Sequence, residues 1–210
     1  MKTSKPLTTI LSILLTVVLL LSVLSVAVMG IGLDPIRMAD MFRRHGQAMF
    51  VQTDGRRLEI AQEIVDYLKF ARDDLPAFQP HEQLHMADVR GIFRILYMLA
   101  VPGLPALAAL WGLRRKGSLR ICGMTCIALL TCIGAVLVWC AVDFDSLFLL
   151  FHRVAFTNDL WLLDPRTDLM IQLMPTPFFL EYAILIAGIF LGAAAVLAAL
   201  SLVLNRRYHP

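Results

Sequence analysis

Four apolar runs dominate this sequence, and each is long enough to cross a membrane as a helix. A helix rises about 1.5 Å per residue, so roughly 20 apolar residues span the hydrocarbon of a bilayer. The runs are Leu7–Met29, Gly91–Leu113, Ile121–Asp143 and Leu180–Leu204. Because 59% of the 210 residues are hydrophobic and only 17% are charged, the composition is typical of an integral membrane protein. We therefore predict an all-α integral membrane protein with four transmembrane helices, forming a single membrane domain over residues 1–210.

The distribution of charge predicts the orientation of these helices. Three segments carry basic residues and no acidic ones, namely the two termini and the short connection between the second and third runs. Their basic residues are Lys2, Lys5, Arg114, Arg115, Lys116, Arg120, Arg206 and Arg207. The 16 acidic residues lie in two longer loops, 30–90 and 144–179, or at helix ends that face them. By the positive-inside rule, both termini are cytoplasmic and both loops extracytoplasmic. We interpret the basic clusters as topology signals, and we expect no nucleic-acid partner.

The first run also has features of a secretion signal. Its basic start and apolar core precede Ser25-Val26-Ala27, which resembles a signal-peptide cleavage site. The run is longer than the apolar region of a typical signal peptide, which favours an uncleaved signal anchor over cleavage.

The two long loops are expected to contain short helices. Asp34-Pro35 is a helix-start signal, and we predict a helix from there to about Met49. Val51–Gly55 has the composition of a turn or short hairpin. Residues 57–72 have the spacing of an amphipathic helix, which either lies at the lipid headgroups or packs on a neighbouring span. The segment 81–113 is predicted to be one long helix, kinked by two prolines. Asp164-Pro165 repeats the helix-start signal in the second loop.

Polar residues with catalytic potential cluster at two places in these loops. In the first, Asp88 follows His85 by one helical turn, a spacing at which a carboxylate can fix the tautomer of an imidazole. In the second, His152 is followed by a dense set of polar and aromatic residues. These are Asn158, Asp159, Trp161, Asp164 and Asp168. For Asp164, helix capping is the simpler interpretation.

Two arginines follow the first cluster toward the membrane. The default interpretation of Arg90 and Arg94 is that their side chains extend to the lipid headgroups. The sharper alternative is that one of them binds a lipid phosphate or a developing oxyanion.

The segment His81-Glu82-Gln83-Leu84-His85 matches the helical zinc motif H-E-x-x-H. In that motif two histidines bind the metal and the glutamate acts as a base. Pro80 places His81 at the start of the helix, and no familiar third-ligand motif follows. A zinc-dependent membrane hydrolase therefore stays an alternative, while we expect no bound metal.

The two polar clusters together resemble the lipoprotein intramolecular transacylase family of small bacterial four-span membrane proteins. The resemblance rests on three signatures: His85-Met-x-Asp88-Val89, Phe151-His152-x3-Phe156-x-Asn158-Asp159-x-Trp161-x2-Asp164-Pro165-x2-Asp168, and Pro175-x2-Phe178-Phe179. It covers most of the chain and the topology. It implies an enzyme of the bacterial cytoplasmic membrane whose substrate is a diacylglyceryl lipoprotein. Such an enzyme moves the sn-2 acyl chain onto the α-amine of the N-terminal cysteine, which gives the lyso form.

The residue inventory fits this chemistry independently. The loops contain no cysteine, and Ser146 is their only serine, so an acyl-enzyme is poorly supported. In an intramolecular transfer the substrate supplies both the amine and the ester, and the protein has only to position them and move protons. We expect His85 and His152 to act as general base and acid, with the order left open, and Asp88 to orient His85. Asn158 or an arginine would stabilise the oxyanion. Ester-to-amide transfer is downhill, so we expect no cofactor, and membrane lipid as the other partner.

A third possibility from a different functional class is a membrane binding or assembly protein without catalytic activity, whose loops hold a partner.

Overall fold

A computed structural model describes residues 5–47, 53–114 and 117–208, and every regular element in these ranges is helical. The helices are α1 Lys5–Gly32, α2 Pro35–His45, α3 Asp54–Leu68, α4 Pro80–Ala100, α5 Gly103–Gly112, α6 Ser118–Val142, α7 Phe144–Ala155, α8 Leu169–Leu173 and α9 Thr176–Tyr208. Four stretches are long and apolar enough to cross a membrane: Lys5–Gly32, Pro80–Gly112, Ser118–Val142 and Thr176–Arg207. The prediction of an all-α membrane protein with four spans is confirmed.

The second span is broken where its prolines predict a kink. The stretch predicted as one helix from 81 to 113 is two helices, α4 and α5, separated by a turn at Val101-Pro102. Proline cannot donate the backbone hydrogen bond that would continue α4, and it disfavours helical geometry in the residue before it.

The chain divides into two compact units. The first comprises Met1–Ala27, Leu96–Ala141 and Ala187–Pro210, and the second comprises Val28–Ile95 and Val142–Ile186. In the first unit, small residues bring helices into close contact. At Gly103 an added Cβ would lie 2.7 Å from the Cβ of Ser22, and at Gly123 it would lie 2.7 Å from Leu202. Cys122 and Cys126 are free thiols in this core, as expected from their positions inside an apolar span.

The second unit contains the short helices of both long loops. Asp34 caps α2 as predicted, since its Oδ1 accepts from the backbone N–H groups of Ile36 and Arg37 at 3.0 and 3.2 Å. The helix ends at His45, and the predicted end near Met49 lies outside the described residues. α2 packs against α3, and the buried side chains of this unit include Met41, Phe42, Ile60, Ile64, Leu75 and Leu173.

Two local predictions in the loops were wrong. Asp54-Gly55 belongs to the first turn of α3, because the Thr53 hydroxyl accepts from the backbone N–H of Arg56 and starts the helix there. Val51 and Gln52, the rest of the predicted turn, lie outside the described residues. Asp164-Pro165 begins a turn rather than a helix, since Asp164 Oδ1 accepts from the backbone N–H of Arg166. The next helix, α8, begins only at Leu169.

Candidate active site

The two histidines singled out in the sequence lie side by side in the second unit. His85 is one turn inside α4 and His152 is near the end of α7, and their ring centroids are 6.2 Å apart with the planes tilted by 31°. Both side chains are buried, at 7% and 8% exposure. Two imidazoles that are 67 positions apart in sequence therefore meet where little water reaches.

The start of α4 is fixed by a buried carboxylate. Glu82 is fully buried, and its Oε2 accepts from the backbone N–H of Gln79 at 2.7 Å. Its Oε1 accepts from the backbone N–H of Met170 in α8, also at 2.7 Å. Glu82 thus satisfies an unpaired donor at the start of its own helix and ties the helix that carries His85 to the second loop.

Aromatic side chains surround His152 and influence the pKa of its imidazole. The rings of Phe148, Phe151, Phe156 and Trp161 lie 4.3, 5.3, 5.5 and 5.2 Å from the imidazole between centroids. Burial in this surround lowers the pKa of His152 below its ordinary value of about 6.5, and a hydrogen bond to the Phe148 carbonyl opposes that shift only in part. The imidazole is therefore neutral at neutral pH.

The hydrogen bond to Phe148 also sets the tautomer of His152. Nδ1 lies 2.8 Å from the Phe148 carbonyl oxygen, which can only accept, so Nδ1 carries the proton. In the neutral ring Nε2 is then the nitrogen with the free lone pair. His152 is in this way prepared to accept a proton at Nε2.

His85 lies at a cavity of about 190 Å³ whose other lining residues are almost all apolar. Its Nδ1 is buried and has no hydrogen-bond partner among the described residues. The Phe156 ring packs on the His85 ring in a T-shaped arrangement, with 5.0 Å between centroids. A buried imidazole nitrogen without a partner is costly in a resting protein and is common where a ligand supplies the partner.

Asp88 has a hydrogen-bond partner in the second loop, and its expected role of orienting His85 stays a prediction. Its Oδ2 accepts a hydrogen bond of 2.9 Å from the side-chain amide of Asn158. The backbone carbonyl of Asn158 accepts from the indole N–H of Trp161 at 2.8 Å, and its Oδ1 accepts from the backbone N–H of Leu160. Asp88 therefore holds the segment that carries Trp161, and Trp161 packs on His152.

The three acidic residues of the second signature lie in the segment between α7 and α8. Asp159 is exposed, and its backbone carbonyl accepts from Leu162. Asp164 pairs with Arg166, whose guanidinium lowers the pKa of Asp164 to about 2. Asp168 is buried beside the Nε2 of His81, at 3.1 Å. Burial alone would raise the pKa of Asp168, but hydrogen bonds, the largest from His81, hold it below its usual value.

The two arginines lie on α4, in the second unit. The Arg90 guanidinium lies 4.4 and 4.6 Å from the ring centroids of Tyr67 and Phe70, and it bonds Asp73 at 3.0 Å. The exposed Arg94 lies 5.4 Å from the Phe70 ring. Arg90 is thus committed to packing, and Arg94 is the arginine of the two that stays accessible.

The H-E-x-x-H segment is not arranged as a zinc site. Both carboxylate oxygens of Glu82 accept from backbone N–H groups, and His81 pairs with Asp168. Within the described residues, no three side chains of His, Cys, Asp or Glu are grouped as metal ligands.

Sequence reasoning missed several residues of the site. Phe148 lies one turn before His152 on α7, so helical spacing could have indicated it. Glu82 was considered only as a zinc-motif base, and its structural role depends on a contact with Met170 that no local pattern shows. Tyr182, which lines the cavity beside His85, is inside an apolar span and has no local signal.

Comparison with known proteins identifies the family. The sequence model described as "Lipoprotein intramolecular transacylase Lit" matches residues 9–179, most of the chain. The chain belongs to the lipoprotein intramolecular transacylase family. It is therefore an enzyme of the acyltransferase kind, and the resemblance noted in its sequence is confirmed. No curated protein matches the chain.

Solved structures of one transacylase share its fold. The in meso structure of the membrane integral lipoprotein intramolecular transacylase Lit from Bacillus cereus has 20% identity and a TM-score of 0.72, covering 97% of this chain and 95% of that one. A histidine-to-arginine variant of it has 19% identity and a TM-score of 0.60, covering 97% and 91%. A histidine-to-alanine variant has 20% identity and a TM-score of 0.61, covering 97% of this chain and 94% of that one.

Proposed function

We propose that this transacylase moves the sn-2 acyl chain of a diacylglyceryl lipoprotein onto the α-amine of its own N-terminal cysteine, with His85 and His152 as the proton-transfer pair. The observation that carries the proposal is the meeting of the two buried rings, 6.2 Å apart, with His85 lining an apolar cavity. The apolar surround suits a lipid ester.

In the proposed reaction the amine nitrogen attacks the ester carbonyl carbon. The C–N bond forms and the C–O bond to glycerol breaks. The nitrogen has three protons as an ammonium and one in the product amide, so it loses two. His152 accepts one of them at Nε2, the nitrogen that its bond to Phe148 leaves free, and passes it to solvent. The other ends on the glyceryl oxygen, and His85 donates toward that oxygen as negative charge develops. Neither enzyme nucleophile nor ATP enters the balance.

The polar network of Asp88 and Asn158 supports this arrangement indirectly. It fixes the segment whose Trp161 packs on His152. We propose that these are positioning residues, while Asp159, Asp164 and Asp168 stabilise the loop around them. Arg94, which is exposed, is proposed to contact lipid headgroups.

We further propose that the enzyme lies in the bacterial cytoplasmic membrane with the histidine pair on the outer side. The support is the distribution of charge, since the three segments predicted to be cytoplasmic carry basic residues and no acidic ones. Fusion of a reporter active only in the cytoplasm to residue 210, and of one active only outside to the 53–80 loop, tests this orientation. Exchange of the two reporters is the control: an outer reporter that is active at residue 210 contradicts this orientation.

The decisive experiment uses purified enzyme in liposomes and a diacylglyceryl lipopeptide whose sn-2 chain alone is isotopically labelled. Mass spectrometry should find the label on the cysteine nitrogen. His85→Gln and His152→Gln should each reduce the rate by about 10²-fold or more. A labelled chain that stays on glycerol, or an acyl group captured on the protein, contradicts the proposal.

Two further histidines provide controls. His45 bonds Glu181 at 2.8 Å and has no part in the mechanism, so His45→Gln should keep the rate within a few-fold. His81 belongs to the zinc alternative, which requires its Nε2. A folded His81→Gln that is as inactive as His85→Gln would favour that alternative.

A further inference from the structure

The cavity beside His85 extends away from the histidine along the spanning helices. On α4 its lining residues include His85, Val89 and Phe93, and on α9 they include Tyr182 and Ile186. His85 and Phe93 are two turns apart, so the cavity follows α4 for about 12 Å. All of these residues belong to the second unit. One end of the cavity is thus at a proposed catalytic group, and the other is among residues of long apolar helices.

The lining is apolar with two buried polar exceptions. The Tyr182 side chain is only 7% exposed, and its hydroxyl has no hydrogen-bond partner among the described residues. His85 also lines this cavity, and its buried Nδ1 likewise has no hydrogen-bond partner among the described residues. Two orphaned polar atoms in one apolar cavity indicate an occupant with a long apolar part and few polar atoms.

A peptide does not fit this description. Each residue of a bound peptide would bring a backbone N–H and C=O that need partners, and the lining offers few. Methionines contribute to the wall at Met38, Met86, Met170 and Met174, and such flexible side chains adapt to a chain of variable shape. A fatty acyl ester has one apolar chain and one carbonyl, which matches the cavity.

We propose that this cavity binds a fatty acyl chain of the substrate, and that the Tyr182 hydroxyl donates a hydrogen bond to the ester carbonyl oxygen of that chain. The inference rests on the proposed function and adds the acyl site and a further substrate-binding residue. No charged residue is among the described residues that line the cavity, so selection within it depends on the length and bulk of the chain.

The first test narrows the cavity. Val89→Phe places a larger ring in the lining, and Val101→Phe makes the same change at a residue that is 75% exposed and outside the cavity. Lipopeptides carry either a butanoyl or a hexadecanoyl chain, varied separately at sn-1 and sn-2. In Val89→Phe the hexadecanoyl-to-butanoyl rate ratio at one of these positions should fall at least about tenfold. In Val101→Phe the ratio should equal that of the wild type.

The outcomes separate this inference from the proposed function. If wild-type enzyme transfers the sn-2 chain and Val89→Phe keeps the wild-type ratio at both positions, the acyl site is wrong and the function stands. A further arm holds the lipopeptide constant and varies the chain length of the liposome phospholipid. A Val89→Phe defect that depends only on the phospholipid would assign the cavity to bilayer lipid and overturn the proposal.

The second test removes the hydroxyl. Tyr182→Phe should lower kcat/KM for the ester substrate about tenfold, while Tyr67→Phe, a buried tyrosine outside the cavity, should not. A diether analogue has no carbonyl, so its inhibition constant should be the same for wild type and Tyr182→Phe. Equal effects on the ester and the diether, or no effect on either, would overturn the proposed contact.

Discussion

Asn158 donates a hydrogen bond of 2.9 Å from its side-chain amide to Oδ2 of Asp88, which joins two segments that are 70 positions apart in the sequence. The bond connects the helix of His85 to the loop whose Trp161 packs on His152. We therefore expect the separation of the two imidazoles to depend on a polar contact in which neither imidazole takes part.

A double-mutant cycle tests this dependence. Asp88→Ala and Asn158→Ala should each lower the rate of lyso-form production about fivefold, since a hydrogen bond of this kind contributes about 1 kcal/mol. The double variant should lose little more than either single one, because both changes remove the same bond. Multiplicative losses would mean that the two residues act separately. A loss in Asp88→Ala as large as that in His85→Gln would indicate a direct role for the carboxylate.

The buried carboxylate of Glu82 should matter for stability rather than for chemistry. In Glu82→Gln one amide oxygen can still accept from Met170 or Gln79, but the NH₂ group faces a backbone donor, so one buried N–H loses its partner. We expect the free energy of unfolding to fall by about 1–3 kcal/mol. Glu59→Gln on α3, where the carboxylate is 60% exposed, should change it little.

Activity per folded molecule separates this role from the zinc alternative. If Glu82 only fixes the start of α4, Glu82→Gln protein that survives purification should keep at least about a tenth of the wild-type rate. Complete inactivity of a variant whose thermal unfolding is normal would show that the carboxylate takes part in the reaction.

The pH dependence of the reaction should report the buried state of His152. Its pKa lies below the ordinary value, so the neutral form that accepts a proton at Nε2 is fully present above about pH 6.5. The rate should fall only as the pH drops through the lowered pKa. The contribution of this group to stability has the same sign. The unfolded chain binds the proton first as the pH falls, so the contribution is present above about pH 6.5 and is lost below it.

Trp161→Ala provides the comparison, because removal of the indole gives water access to the ring. The acidic limb of the rate profile should then move up toward pH 6.5. Initial rates with lipopeptide in liposomes between pH 4 and 8 measure both profiles. An inflection of the wild type above pH 6.5, or an unchanged limb in Trp161→Ala, would contradict the assignment of His152 as the titrating base.

The apolar spans could be predicted from the sequence, because hydropathy depends on nearby residues. The α2 cap at Asp34 was predicted for the same reason. The two histidines were singled out by their polar neighbours and by the family resemblance; the structure places their rings side by side, and their catalytic role stays a prediction. The failures involve competing local solutions or distant partners. Asp164-Pro165 has the composition of a helix start, but Asp164 bonds Arg166 and closes a turn instead.

The partner of Asp88 shows the limit most clearly. Helical spacing places its carboxylate one turn from His85, yet Asn158 supplies a donor from the other loop and binds it. Periodicity identifies which residues share a helix face but not which residue of another element packs there. The position of Tyr182 at the cavity was unpredictable for a similar reason, since an apolar run gives no indication of which side chains border a cavity.

Arg90 should be sensitive to a change that leaves its charge intact. Its guanidinium lies against the rings of Tyr67 and Phe70 and bonds both Asp73 and the backbone carbonyl of Arg72, each at 3.0 Å. Phe70 has a backbone φ of 61°, a conformation that residues other than glycine rarely adopt. The surrounding contacts therefore hold its ring beside the arginine. A lysine ammonium cannot stack on two rings and bond two acceptors at once.

Arg90→Lys should therefore lower the free energy of unfolding by about 1–2 kcal/mol, measured by thermal unfolding in detergent. Arg94→Lys is the matched control, because Arg94 is exposed and contacts the Phe70 ring only at 5.4 Å. It should change stability by less than about 0.5 kcal/mol. Equal effects of the two changes would show that stacking at Arg90 adds nothing beyond its charge. A loss of activity in stable Arg90→Lys protein would instead point to the sharper alternative, a contact between this arginine and the substrate.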